Sequence, residues 1–190
     1  YSEKMDEIAH NCKVVCFGSL AQRNKVSRET INRFIDAMPE SEDSLKVFDI
    51  NLRQHFYDEE IITSSLKKCN VLKINDEELV IVSRMFGFPE LSQSEACRRI
   101  LDAYGLKMLI LTCGTDGSYV FTAGETSFHP TPKVEVADTV GAGDSFTGSF
   151  IASILKGKSI SDAHKRAVEV SAYVCTQNGA MPVLPAELLD

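Results

Sequence analysis

The sequence predicts an α/β fold, a mostly parallel sheet flanked by helices, and three observations carry that prediction. Compact apolar runs of strand length recur along the chain, amphipathic helical periods separate them, and the residues just after the runs are polar or glycine-rich. Apolar runs that alternate with helices in this way are expected for parallel strands covered on both faces.

Each element has its own signal. "KVVCF" (13–17) is a short β-rich run. "SRETINRFIDAM" (27–38) then sets Ile31, Phe34, Ile35 and Met38 at a helical period, with Ser27 as the expected N-cap. "LKVFDI" (45–50) predicts a strand, "DEEIITSSLKKC" (58–69) a helix, "NVLKI" (70–74) a strand, and "DEELVIVSRMFG" (76–87) a helix ended by Gly87. In "SQSEACRRILDAYG" (92–105) Ser92 and Glu95 have capping-box spacing and Gly105 ends the helix. "KMLILT" (107–112) is a further buried strand. "GSYVFTAGETSFHPTPKVEV" (117–136) changes to short β-runs split by glycine and proline, as in hairpins at a sheet edge. Two helices, roughly 143–156 and 160–177, close the chain. No internal repeat or low-complexity linker interrupts it.

Composition bounds the function. The 190 residues, 44% hydrophobic and 25% charged, suffice for one domain with a sizeable core. No stretch has the length and apolarity of a membrane span or signal segment. The formal charge of −7 disfavours nucleic acid or an anionic membrane as partner, while leaving room for a basic pocket that takes a small anion. Six cysteines, at 12, 16, 69, 97, 113 and 175, lie mostly in apolar contexts, which suits reduced, buried thiols and a cytoplasmic protein. Neither they nor the histidines at 10, 55, 129 and 164 have a metal-ligand or redox spacing. The opening "YSEKMDEIAHNC" has no initiator methionine and reads as the middle of a protein. The expectation is one core domain over 1–190 that is incomplete at its N-terminus.

In open parallel sheets, ligands sit where strands exit into helices. Those exits carry the unusual residues here. Asp49, Asn51 and Arg53 follow one strand, Asn75 and Glu78 another, and Thr112, Gly114 and Gly117 a third. A fourth polar stretch, "DTVGAGDSF" (138–146), precedes a helix. Its Gly141, Ala142 and Gly143 leave their amides unobstructed at a helix N-terminus, where the macrodipole favours an anion such as phosphate. No Gly-Lys-Ser/Thr follows, so this is not a Walker A loop. Asp144 at the end of such a turn would repel a phosphate, yet it suits a base that orients an acceptor hydroxyl and takes its proton. A tight turn in which Asp144 merely caps the helix is the alternative.

"DTVGAGDSFTGSF" resembles the second signature of the PfkB (ribokinase-like) carbohydrate kinases, which phosphorylate sugar hydroxyls with ATP and Mg2+. "FDINLR", "KINDEEL" and "LTCGTDGS" resemble, in the family's order, its Asp-x-Asn-x-Arg, Asn-x-x-Glu and Thr-x-Gly-x-x-Gly segments, so the resemblance covers nearly the whole chain. "CFGSLAQR" and "FDINLR" look most like the fructokinase branch. The resemblance implies a ribokinase-like, Rossmann-like three-layer core without the N-terminal part and β-sheet lid.

It also implies roles. Asp144 becomes the catalytic base, and the Gly141–Gly143 backbone, Ala142 included, becomes the anion hole. Asn75 and Glu78 would organise magnesium and phosphate through water; a helix N-cap plus a solvated glutamate is the alternative. Thr112, Gly114 and Gly117 would line the nucleotide, or form a plain strand-to-strand turn. Arg53 would meet a phosphate, or be an exposed arginine. Gly18 and Ser19 would edge the sugar pocket, or form an ordinary loop. Some relatives bind a monovalent cation, and here Asp138 with carbonyls such as those of Val140 and Gly179 would hold K+, although Val183 stands where a hydroxyl can occur. Asp138 as a turn cap is the alternative. The expected activity is ATP-dependent phosphorylation of a sugar hydroxyl, fructokinase-like, by an enzyme whose complete form could be a homodimer. A nucleoside kinase would share the phosphate machinery, and a non-catalytic sugar- or nucleotide-binding module would not need Asp144.

Overall fold

The computed structural model describes residues 1–189 and divides into two compact units, one of residues 1–111 with 121–125, the other of residues 112–120 with 126 onward. The first contains helix α1 (Glu3–Asn11), strand β1 (Val14–Phe17), α2 (Lys25–Ala37), β2 (Leu45–Asp49), α3 (Glu59–Lys68), β3 (Val71–Asn75), α4 (Asp76–Met85), α5 (Gln93–Tyr104) and β4 (Met108–Thr112, its last residue in the other unit). Its strands lie in the order β1-β2-β3-β4. β1 pairs parallel to β2 with Phe17 opposite Phe48, and β2 parallel to β3 with Asp49 opposite Lys73.

The apolar runs are strands because both of their faces are covered. Val47, Phe48, Ile74, Leu109 and Ile110 are fully buried, and the Phe17 and Phe48 rings stack at 5.2 Å. Burying such a side chain contributes roughly 1.5–3 kcal/mol relative to leaving it in water. Helix ends follow the caps. Ser92 and Glu95 form the expected capping box on α5, Gly105 closes that helix in the left-handed conformation, and Gly87 follows α4 with φ +78°.

Local hydrogen bonding corrects some expectations. α2 starts at Lys25, and its N-cap is Asn24, whose Oδ1 accepts from Val26 N at 2.9 Å; Ser27 lies inside the first turn. α1 was not anticipated, although Ser2 caps it by accepting from Met5 N.

The second unit contains the neighbouring strands β5 (Ser118–Phe121, its last residue in the first unit) and β6 (Thr126–His129), then α6 (Ala142–Leu155) and α7 (Ile160–Cys175), which pack together. No strand forms over 130–136, because Val134 and Val136 are exposed and the alternation there faces no core. Of the cysteines, Cys69, Cys97 and Cys113 are buried, Cys12 and Cys175 half-buried, and Cys16 exposed on the face of β1 opposite Phe17, against the expectation of burial. Burial pushes the Cys69 thiol up to about 12, which keeps it protonated and inert. Among the described residues no helix is long and apolar enough to cross a membrane.

Candidate active site

In the second unit, Gly141 holds the entry to α6. Its φ of +82° is left-handed, and a Cβ there would lie 2.5 Å from the Ala180 carbonyl oxygen and 2.7 Å from Ala180 Cα. Glycine is therefore required both by conformation and by contact. Ala142 N donates to Thr139 O and Ser145 N to Gly141 O, while the amides of Gly143 and Asp144 donate to no described residue. These are orphan donors at the positive end of a 14-residue helix, which suits them to an anion. The N-cap is Gly141, so Asp144 does not cap α6; it is exposed in the first turn, and its side chain bonds to no described residue.

Asp138 braces the same loop. Its Oδ1 accepts from Val140 N at 3.0 Å and its Oδ2 from Gly179 N at 3.2 Å, and these amides hold the carboxyl below the usual range. The turn-cap reading thus describes Asp138 as it stands, with a lone pair on each oxygen left over. Val183 is 91% exposed and offers no hydroxyl.

The stretch 112–117 is a turn closed by Cys113 N donating to Gly117 O at 2.8 Å. Gly117 is buried, and a Cβ on it would lie 2.5 Å from the His129 carbonyl oxygen and 2.8 Å from the Phe128 ring. Its identity is explained by this turn into β5. Gly114 is exposed with open space around it, and Thr112 is half-buried at the strand end, so both can face a ligand. Thr131, which no motif signalled, donates its hydroxyl to Gly114 O at 2.6 Å.

In the first unit, three strand exits are tied together. Ser19 is fully buried and donates its hydroxyl to Ile50 O at 2.7 Å, so it offers no group to a sugar and the ordinary-loop reading describes it. Gly18 packs against the end of β2, where a Cβ would lie 3.0 Å from Asp49 O. The β2 exit contains two left-handed residues, Asn51 and Gln54. Arg53 is exposed there and donates to its neighbour's carbonyl at 3.4 Å, leaving its cation accessible.

Asn75 and Glu78 form a capping box on α4, with Asn75 Oδ1 accepting from Glu78 N at 2.8 Å and Glu78 Oε2 from Asn75 N at 3.0 Å. Glu78 Oε1 reaches further and accepts from Leu52 N at 2.8 Å. The solvated-glutamate alternative fails, because Glu78 is buried; that burial pushes its carboxyl above the usual range, against the pull of the Asn75 and Leu52 amides and of Lys73. Beside it, Lys73 pairs with Asp49 at 2.9 Å, both side chains largely buried. Lys73 escaped the motif reading, although a lysine inside the apolar run "NVLKI" was its signal.

A cavity of about 410 Å3, lined by Ser149, Lys156, Arg166, Val170 and Leu188 among others, runs along α6 and α7; Ser145, Gly148 and Ser149 of the 138–150 motif line it, but none of the candidate site residues named above does. Among the described residues no group of three or more His, Cys, Asp or Glu is arranged to hold a metal ion.

The model of the pfkB family carbohydrate kinases matches residues 2–187. An ATP-dependent 6-phosphofructokinase of Thermoanaerobacterium thermosaccharolyticum is 30% identical over 190 residues, covering 97% of this chain and 57% of its own length. An aminoimidazole riboside kinase of Salmonella typhimurium is 30% identical over 180 residues, covering 89% and 54%. A Vibrio cholerae fructokinase, solved with fructose, ADP and calcium ion, superposes with a TM-score of 0.78 at 26% identity, over 93% of this chain and 59% of that one. The chain therefore spans a little more than half the length of the relatives it matches.

Proposed function

The chain belongs to the pfkB family of carbohydrate kinases, and from that membership we propose that it supplies the phosphoryl-transfer part of an ATP-dependent, fructokinase-like sugar kinase. The observation that carries this reading is the carboxylate of Asp144, bonded to no described residue, in the same helical turn as two amides that donate to no described residue. A binding module needs anion-binding amides but has no use for a base among them.

In this reading the acceptor hydroxyl of the sugar donates a hydrogen bond to Asp144. As its oxygen bonds to the γ-phosphorus, the proton passes to the carboxylate and the bond to the departing ADP breaks. The Gly143 and Asp144 amides stabilise charge on the transferring phosphoryl oxygens, being oriented before the reaction starts. Thr112 and Gly114 line the nucleotide, and Arg53 gives cationic charge to a phosphate. Magnesium, when bound with the nucleotide, neutralises charge on the β- and γ-phosphates. Both Glu78 oxygens already accept amides, so Asn75 and Glu78 suit contact with that ion through water rather than a direct protein cage. The spare lone pairs of Asp138 with the Val140 and Gly179 carbonyls are oxygen donors of the type that would hold K+.

Asp144→Asn in the complete enzyme is expected to keep nucleotide and sugar affinity while turnover falls about 100-fold or more. Near-normal turnover of the purified variant would remove Asp144 from the mechanism. The acceptor has a second reading, because one relative at 30% identity is an aminoimidazole riboside kinase. Comparing kcat/KM for fructose, fructose 6-phosphate and a riboside decides between them; preference for the riboside overturns the fructokinase-like assignment.

A further inference from the structure

In the second unit, the 112–117 turn and the start of α6 both lean on a buried histidine that the mechanism above does not use. His164, in the second turn of α7, is fully buried. Its Nε2 lies 2.8 Å from Ser118 Oγ and its Nδ1 2.9 Å from Ser127 Oγ. A neutral imidazole carries one hydrogen, so one serine accepts from the ring and the other donates to it.

Each contact leads to a part of the proposed site. Ser118 directly follows Gly117, whose carbonyl closes the turn through Cys113 N. Ser127 precedes Phe128 and His129, the residues that leave no room for a side chain on Gly117. The His129 ring meets His164 edge-on at 4.7 Å. Phe146, two residues beyond Asp144, also meets the His164 ring edge-on, at 5.9 Å. An aliphatic side chain could fill the same space without two buried polar groups to satisfy. A fully satisfied buried network fixes one arrangement of the elements it joins.

We propose that His164 is a positioning residue for nucleotide binding, and that its bond to Ser118 holds the 112–117 turn in register with the first turn of α6. The proposal rests on the kinase reading and extends it to a residue outside every motif. Its two bonds can be removed separately, because an asparagine amide falls near the Nδ1 position and a glutamine amide near Nε2. His164→Asn therefore keeps the Ser127 contact and loses Ser118, whereas His164→Gln does the reverse.

The test is steady-state kinetics of the complete enzyme for His164→Asn, His164→Gln, Ser118→Ala and Ser127→Ala, with a thermal midpoint for each. We expect KM for MgATP to rise on the order of tenfold in His164→Asn and Ser118→Ala, and by no more than about twofold in the other two, matching one lost hydrogen bond. Sugar KM and kcat stay near wild type, and His164→Gln rescues the nucleotide KM despite a lowered midpoint. A KM that simply tracks the loss in midpoint, or one unchanged in Ser118→Ala, overturns the proposal. If His164→Asn does not fold, Ser118→Ala against Ser127→Ala decides the question alone. Direct titration with MgADP separates the two readings: a wild type that binds it without sugar-dependent turnover sinks the kinase assignment, while the Ser118→Ala affinity still judges His164.

Discussion

Gly141 and Gly143 are adjacent to the same bonds yet predict different phenotypes. A side chain at Gly141 would be left-handed and would press on the Ala180 backbone. Gly141→Ala should therefore cost about 1–3 kcal/mol of stability, read by urea unfolding, as well as turnover. Gly143 is exposed in the first turn of α6, where a valine is compatible with the helix. Gly143→Val should leave stability within about 1 kcal/mol while obstructing the amides, so that turnover falls further than stability does. Wild-type turnover in Gly143→Val would remove the anion hole from the mechanism.

Between elements, buried polar groups act as ties. Glu78 joins α4 to the β2 exit through Leu52 N, so Glu78→Ala should destabilise by about 1–3 kcal/mol and expose the Leu52 amide to hydrogen exchange. Unchanged exchange at Leu52 would count against the tie. His164 ties α7 to β5 and β6, and burial, then His129, lowers its pKa to about 4 from 6.5. The unfolded chain therefore takes up a proton in that interval that the folded chain does not. The stabilising contribution is complete above pH 6.5, declines as pH falls towards 4, and has no further to fall below that. His129 is the titratable neighbour that adds to the effect, since the serines and Phe146 facing the ring carry no charge. Unfolding free energy measured at pH 7.5 and 5 should drop more in wild type than in His164→Gln; equal drops would contradict the assignment.

For the whole molecule, the prediction concerns residues 1–190 expressed alone. Two compact units with buried cores should fold, and the chain contains the residues proposed as base and anion hole. The relatives are longer by about four-tenths of their length, and acceptor positioning is expected to depend on residues outside the matched part. Orientation contributes roughly 7–11 kcal/mol to an enzymatic rate, so ATP, magnesium and fructose should give no sugar-dependent ADP. Turnover comparable to the complete protein would overturn this. Val140, Met181 and Val183, all more than half exposed on segments near Asp138 and Gly179, should also make the chain associate with rising concentration, which light scattering reads.

What the sequence determined by itself is what short-range chemistry controls. Strand and helix alternation follows from apolar period, the α5 capping box from residues three apart, and the glycine-entered start of α6 from glycines beside a helical period, so these were legible in 190 letters. Even locally the reading slipped where two caps competed, as Asn24 did with Ser27. Tertiary structure alone decided that Ser19 spends its hydroxyl on Ile50, that Glu78 holds Leu52, that Lys73 faces Asp49, and that His164 sits between two serines. Those partners are 24 to 46 residues apart. Their meeting depends on strand register and on which helix covers which strand, and burial then makes each polar group find the partner that packing brings within reach.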